Sequence, residues 1–108
     1  MPTTEDKFDP IRKGLLEFAV LTVIARKKVY AADILTILSA TEFQTQEGTL
    51  YPLLSRLRRE QLLDYEWQES ETGPPRKYYS LTTKGNGQLK EIEKYWQSII
   101  STIKSLGK

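Results

Sequence analysis

Three arginines, Arg56, Arg58 and Arg59, close the segment Gly48-Thr49-Leu50-Tyr51-Pro52-Leu53-Leu54-Ser55-Arg56-Leu57-Arg58-Arg59. About twenty residues later a second cationic pair, Arg76-Lys77, follows the turn Gly73-Pro74-Pro75 and precedes Tyr78-Tyr79. Cations spaced this way suit phosphate oxygens, and the short polar side chains beside them suit base edges. Gln46, Thr49 and Ser55 lie toward the start of the first segment, the part of a recognition helix that meets bases in a major groove. Arg58 and Arg59 suit phosphates, Arg56 flanks the same face, and the Tyr51 phenol can donate to a phosphate or fill a core. Arg76 and Lys77 on a Gly-Pro turn suit backbone or minor-groove contact.

This is binding chemistry, not bond-breaking chemistry. The chain has no cysteine and no histidine, which removes thiol nucleophiles, disulfides, the usual zinc ligands and the commonest general base near neutral pH. Carboxylates, Ser, Thr, Tyr and Lys remain, but no carboxylate pair falls in a pocket pattern. Neither an enzyme, nor a metal site, nor a cofactor is expected. The formal charge is only +2, so the placement of the cations matters more than the field of the whole molecule.

With 108 residues the chain is of one-domain size, and such a domain buries about two-thirds of the surface its unfolded form exposes. A second copy would add to so small a core. The start, Met1-Pro2-Thr3-Thr4-Glu5-Asp6-Lys7, is polar, and no run approaches the ~18 apolar residues of a membrane span. A soluble cytoplasmic protein without membrane contact is expected.

The elements that must position these residues follow from periodicity. Asp9-Pro10 reads as a helix start, a carboxylate cap followed by a proline at the first helical position. From Ile11 to Ala25 the segment is apolar on most sides, as for a helix buried by its own domain and by a second subunit. A second helix is expected over about Ala31 to Ala40, then a turn over Thr41 to Thr45. A third runs from about Gln46 to Leu62, capped by Thr45 or a neighbour. In it Leu50, Leu53, Leu54 and Leu57 share the inner sector while Pro52, Ser55 and Arg59 point outward.

Leu63, Tyr65 and Trp67 alternate with polar residues, as do Lys77, Tyr79 and Leu81, so two strands of one hairpin are expected. Glu69 to Pro75 reads as an extended loop, the tip of a wing. Thr82 is the expected cap of a last helix of about 24 residues. Its apolar positions Leu89, Ile92, Trp96, Ile99, Ile103 and Leu106 are spaced 3, 4, 3, 4 and 3, a heptad seam. That seam, with Leu15, is the expected interface between two copies. The fold class is mainly α with a two-stranded β-hairpin. A winged helix-turn-helix spans residues 1–82, and a dimerisation helix over 83–108 packs into one compact unit with it.

Lys13-Gly14-Leu15-Leu16-Glu17, Gly48-Thr49-Leu50-Tyr51-Pro52-Leu53-Leu54-Ser55-Arg56-Leu57 and Gly73-Pro74-Pro75-Arg76-Lys77-Tyr78-Tyr79-Ser80-Leu81-Thr82 together resemble the PadR family of bacterial transcriptional regulators. The resemblance covers nearly the whole chain, and its single C-terminal helix is similar to that of the family's short branch. It implies a dimer in which that helix packs on the partner's first and last helices. The chain departs from the pattern at Ala31-Ala32, where the family commonly has Gly-Tyr, and at Gln61, where glycine is frequent. The third helix is therefore expected to end without a left-handed glycine cap.

Trp96 carries two readings. One is packing at a heptad position. The other is a pair of indoles near the dimer axis stacking on a flat aromatic ligand, with Leu15, Phe18 and Ile99 as walls. The resemblance implies the second, since some short PadR-like regulators that sense aromatic drugs carry a tryptophan at the corresponding place. The expected function is a homodimeric, ligand-responsive repressor on double-stranded operator DNA. The alternative is a winged-helix module that binds protein and has no sequence-specific DNA affinity.

Overall fold

The computed structural model describes residues 4–108, with side chains from Lys7 onward; the Met1-Pro2-Thr3 start of the polar leader lies outside the described residues. In chain order the elements are α1 (Thr4–Arg26), α2 (Ala31–Ser39), α3 (Glu47–Arg59), β1 (Leu63–Ser70), β2 (Gly73–Leu81) and α4 (Thr83–Leu106). This is the expected helical architecture with one hairpin. Among the described residues no helix is long and apolar enough to cross a membrane.

The start of α1 differs from expectation. Pro10 lies inside the helix and Asp9 is not its cap. Pro10 withholds one helical hydrogen bond, but it is exposed, so water can serve the freed carbonyl. The Asp9 carboxylate instead accepts from Lys13 at 3.1 Å and Arg12 at 3.4 Å, one turn on. The Lys13 hydrogen bond is the main reason its carboxyl sits below the usual range.

Val20, Leu21 and Ile24 of α1 meet Ile34 and Leu38 of α2 and Leu50, Leu54 and Leu57 of α3 in one core. The three leucines of α3 are fully buried at the inner positions that the periodicity assigns them, while Leu53 is half-buried at the edge. Gln46, not Thr45, is the N-cap residue of α3, with no side-chain bond to the helix end.

The end of α3 is a left-handed cap without glycine. Gln61 has φ 64°, the left-handed region that glycine adopts freely and other residues at a cost. Leu62 N donates to Leu57 O and Gln61 N to Arg58 O, both at 3.0 Å, the paired pattern of a Schellman motif. The glycine frequent here is absent, but its conformation is kept.

β1 and β2 pair antiparallel with Leu63 opposite Leu81, Tyr65 opposite Tyr79 and Trp67 opposite Lys77. The hairpin runs further than expected. Residues 69–75 are not an open loop: the ladder reaches Ser70 opposite Gly73, and only Glu71 and Thr72 turn. Pro74 and Pro75 are tolerated in β2 because a register shift between Gln68 and Ser70 interrupts the ladder opposite them. Val29, in the link between α1 and α2, adds a single backbone rung on the other edge of β2: Tyr79 N donates to Val29 O at 2.7 Å and Val29 N to Tyr79 O at 3.3 Å. This rung ties the hairpin to the helices.

Thr82 caps α4, its Oγ1 accepting from Gly85 N at 2.9 Å and donating to Gln61 O at 2.7 Å. Lys84 Nζ donates to Glu60 O at 2.9 Å and Thr82 N to Leu62 O at 3.1 Å. Gly85 sits so close to the Leu62 carbonyl that a Cβ there would overlap it. Leu89 is buried and Ile92 packs against the same core, but the helix then leaves it: Tyr95, Ile103 and Leu106 are exposed.

Candidate nucleic-acid interface

The outer face of α3 carries Gln46, Thr49, Tyr51, Ser55, Arg58 and Arg59, all exposed. Burial of Leu50, Leu54 and Leu57 on the opposite side fixes this orientation, so the face is set by the core and not by its own contacts. Among the described residues, no hydrogen bond holds the side chain of Gln46, Thr49, Tyr51 or Ser55, and no ion pair holds Arg59. Pro52 lies on the same exposed face.

Arg56 is placed differently from its neighbours. It is half-buried, with Nη2 donating to Glu17 of α1 at 2.7 Å and Nη1 to both oxygens of Glu60 at 3.1 and 3.2 Å. The Glu17 bond, then Glu60, pushes the guanidinium pKa further up. Arg56 is thus committed to a bridge between α1 and α3, unlike Arg59. Arg58 leans the other way, 3.7 Å from Asp64 and over the Tyr65 ring at 5.1 Å.

The hairpin supplies the opposite wall. Its face toward α3 presents Tyr65, Trp67, Lys77 and Tyr79; Tyr79 is buried, and burial is the first cause that raises its phenol pKa. Lys77 lies 4.6 Å from the Tyr65 ring centre and 5.3 Å from that of Trp67. Arg76 stacks over Tyr30 at 4.5 Å, and Tyr30 meets Tyr78 at 5.3 Å. These cations are held by ring faces and keep their N–H groups for another acceptor. Tyr79 belongs to the core, while Tyr78 packs on Tyr30.

The structure therefore brings Tyr51 and Ser55 of α3 and Arg76 and Lys77 of β2 to one groove of about 520 Å³. Gln46 and Thr49 lie instead beside the first turn of α3, near Arg12 and Phe43. The groove's other walls, Tyr30, Ala31, Ala32, Trp67, Pro75 and Tyr79, lie outside the contacts expected from sequence. Trp67 is legible in the sequence as the inward position of β1 opposite Lys77, while the place of Tyr30 depends on the Val29 rung.

A second hollow, of about 410 Å³, opens between α1, α2 and α4. Leu15, Phe18 and Trp96 line it together, with Ile37 and Phe43; Ile99 is not among its walls. Leu89 belongs to the chain's own core and Ile92 packs against it, so the open part of the α4 seam lies beyond Ile92, at Trp96, Ile99, Ile103 and Leu106. No group of His, Cys, Asp or Glu among the described residues could hold a metal ion.

A family model described as the transcriptional regulator PadR-like family matches residues 20–91. A solved PadR-like transcription factor from Bacteroides fragilis is 44% identical, with 91% of this chain and 95% of that chain covered and a TM-score of 0.81. A PadR-like transcriptional regulator from Bacillus cereus is 37% identical over 90% of this chain and 95% of that chain, TM-score 0.80. A PadR family transcriptional regulator from Eggerthella lenta is 31% identical over 93% of this chain and 88% of that chain, TM-score 0.84. An uncharacterised protein from Lysinibacillus sphaericus is 30% identical over 96 residues, 86% of this chain and 88% of its own length.

Proposed function

This chain belongs to the PadR-like family of transcriptional regulators, and on that premise we propose that it is a homodimeric repressor whose α3 enters the major groove of operator DNA. The family's members are regulators, not enzymes. The observation that carries the proposal is the exposed outer face of α3, polar at its start and cationic at its end, facing a hairpin that presents Arg76 and Lys77. Gln46, Thr49 and Ser55 read base edges; Tyr51, Arg58, Arg59, Arg76 and Lys77 hold phosphates. Arg56 serves chiefly to set the helix against α1.

Residues 1–82 form the DNA-binding unit and residues 83–108 the dimerisation arm. Support comes from the apolar face of α4 beyond Leu89, where Ile103 and Leu106 are 62% and 79% exposed, an arrangement that a second copy would cover. Two recognition helices would then meet half-sites about one or two helical turns apart. Effector control rests on the hollow lined by Leu15, Phe18 and Trp96, whose apolar walls suit a planar aromatic compound.

Mobility shifts on duplexes selected from a random library, and on the gene's own upstream region, across a salt series test the DNA reading. A sequence-preferring complex that weakens steeply with salt is expected. Weak affinity without sequence preference would overturn it. Titration with planar aromatic compounds, followed by indole emission, tests the effector reading; an unmoved emission would remove it.

A further inference from the structure

The groove between α3 and the hairpin has a chemistry of its own. Its charged lining residues are Arg76 and Lys77, with no carboxylate among them, and the largest side chain on its apolar side, which Ala31, Ala32 and Pro75 share, is the Trp67 indole. Trp67 is 60% exposed. An indole held open to water forgoes the burial that tryptophan ordinarily gains. It is nevertheless positioned: Tyr65 meets it edge-on at 6.2 Å and the Lys77 ammonium lies 5.3 Å from its ring. It projects from the hairpin face that carries buried Tyr79, toward Tyr51 and Ser55. The neighbouring Glu66, on the other hairpin face, is occupied with Lys28 at 2.7 Å.

We propose that Trp67 is a contact residue of the nucleic-acid interface, its indole packing on the sugar edge of a DNA strand that passes between α3 and the wing. This rests on the DNA-binding reading above. A sugar–phosphate strand alternates an apolar sugar with an anionic phosphate. The groove offers the matching pair, a neutral aromatic wall and two cations freed of carboxylate partners. Lys77, cradled by Tyr65 and Trp67, orients the indole and supplies the charge beside it.

The test uses a duplex selected from a random library by the unmodified protein. On binding, tryptophan emission is expected to be quenched or shifted, and Trp67→Phe should remove most of that response. Trp67→Ala should weaken binding about five-fold with an unchanged salt slope, since the group is neutral, and Trp67→Phe should recover part of the loss. Lys77→Ala should instead flatten the salt slope. If the duplex binds but Trp67→Ala keeps full affinity and Trp67→Phe keeps the emission response, the proposal for Trp67 is overturned while the DNA reading stands. If no duplex is retained, the DNA reading falls and the proposal with it.

Discussion

Arg56 on α3 donates to Glu17 on α1 across 2.7 Å, joining residues 39 apart in the chain. Glu17 lies between Leu16 and Phe18, the latter a wall of the apolar hollow, so the bond links that hollow's helix to the face of α3. Both side chains are partly exposed, at 42% and 23%, which limits the stabilisation from the pair to about 1 kcal/mol. Glu17→Gln and Arg56→Ala should therefore show a coupling of about that size in a double-mutant cycle read by urea unfolding. Independent, additive effects would remove the bridge as a stabilising contact.

Arg59 and Lys77 are expected to behave differently from Arg56 on DNA. Arg59→Ala and Lys77→Ala should each weaken binding and lower the salt slope by about one, without loss of helical signal by circular dichroism. Arg56→Ala should lose less affinity than Arg59→Ala once its lower stability is allowed for. The reverse order would return Arg56 to the phosphate contacts.

Gly85 tests the junction of α3 with α4. A Cβ at this position would overlap the Leu62 carbonyl, a backbone group that no side-chain rotation can move aside. Gly85→Ala should destabilise the fold by about 3 kcal/mol in thermal or urea unfolding. Gly87→Ala, with open space at its Cβ, serves as the control and should be neutral or slightly stabilising.

Gln61→Gly should stabilise the protein by about 0.5–1 kcal/mol, because glycine relieves the left-handed strain at φ 64° while the Schellman hydrogen bonds remain. An unchanged or lower unfolding midpoint would show that side-chain contacts of Gln61 outweigh its strain.

The Lys28 hydrogen bond, followed by that of Gln68, holds the Glu66 carboxyl below its usual pKa. The folded chain thus binds this proton less readily than the unfolded one. The associated stability is complete above the ordinary carboxylate range and is lost as pH falls through the lowered value. Lys28→Ala should be less stable than the unmodified protein at neutral pH, and the gap should close as pH falls through the lowered Glu66 value. A gap independent of pH would assign the effect to packing.

The parts of this fold that depend on a single repeating pattern are legible in the chain. The leucines of α3 and the alternation of β1 and β2 record burial residue by residue, and the Thr82 cap is a local signal. Three features are not legible in this way. Asp9-Pro10 carries the local signature of a helix start, yet the helix passes through because the missing bond faces water. The left-handed turn at Gln61 goes against the residue's own preference and is held by the bonds of residues 61 and 62 to Arg58 and Leu57, with Thr82 donating to the Gln61 carbonyl. The commitment of Arg56 to Glu17, and of Arg76 to Tyr30, arises only when distant segments meet. Membership of the groove therefore follows from hairpin register and the Val29 rung, which no spacing rule within one element contains.

The hydrogen bonds that Thr82 and Lys84 make to residues 60–62 also have a mechanical consequence. They clamp the tail of α3 to the head of a 24-residue helix, about 36 Å long, and Gly85 removes the clearance that would let the two slide. The clamp works as a stiff elbow with one very long forearm. A tilt of about 5° at the elbow carries the far end of α4 through about 3 Å. Conversely, a displacement of a few ångströms imposed near Leu106 reaches α3 as a small, defined rotation.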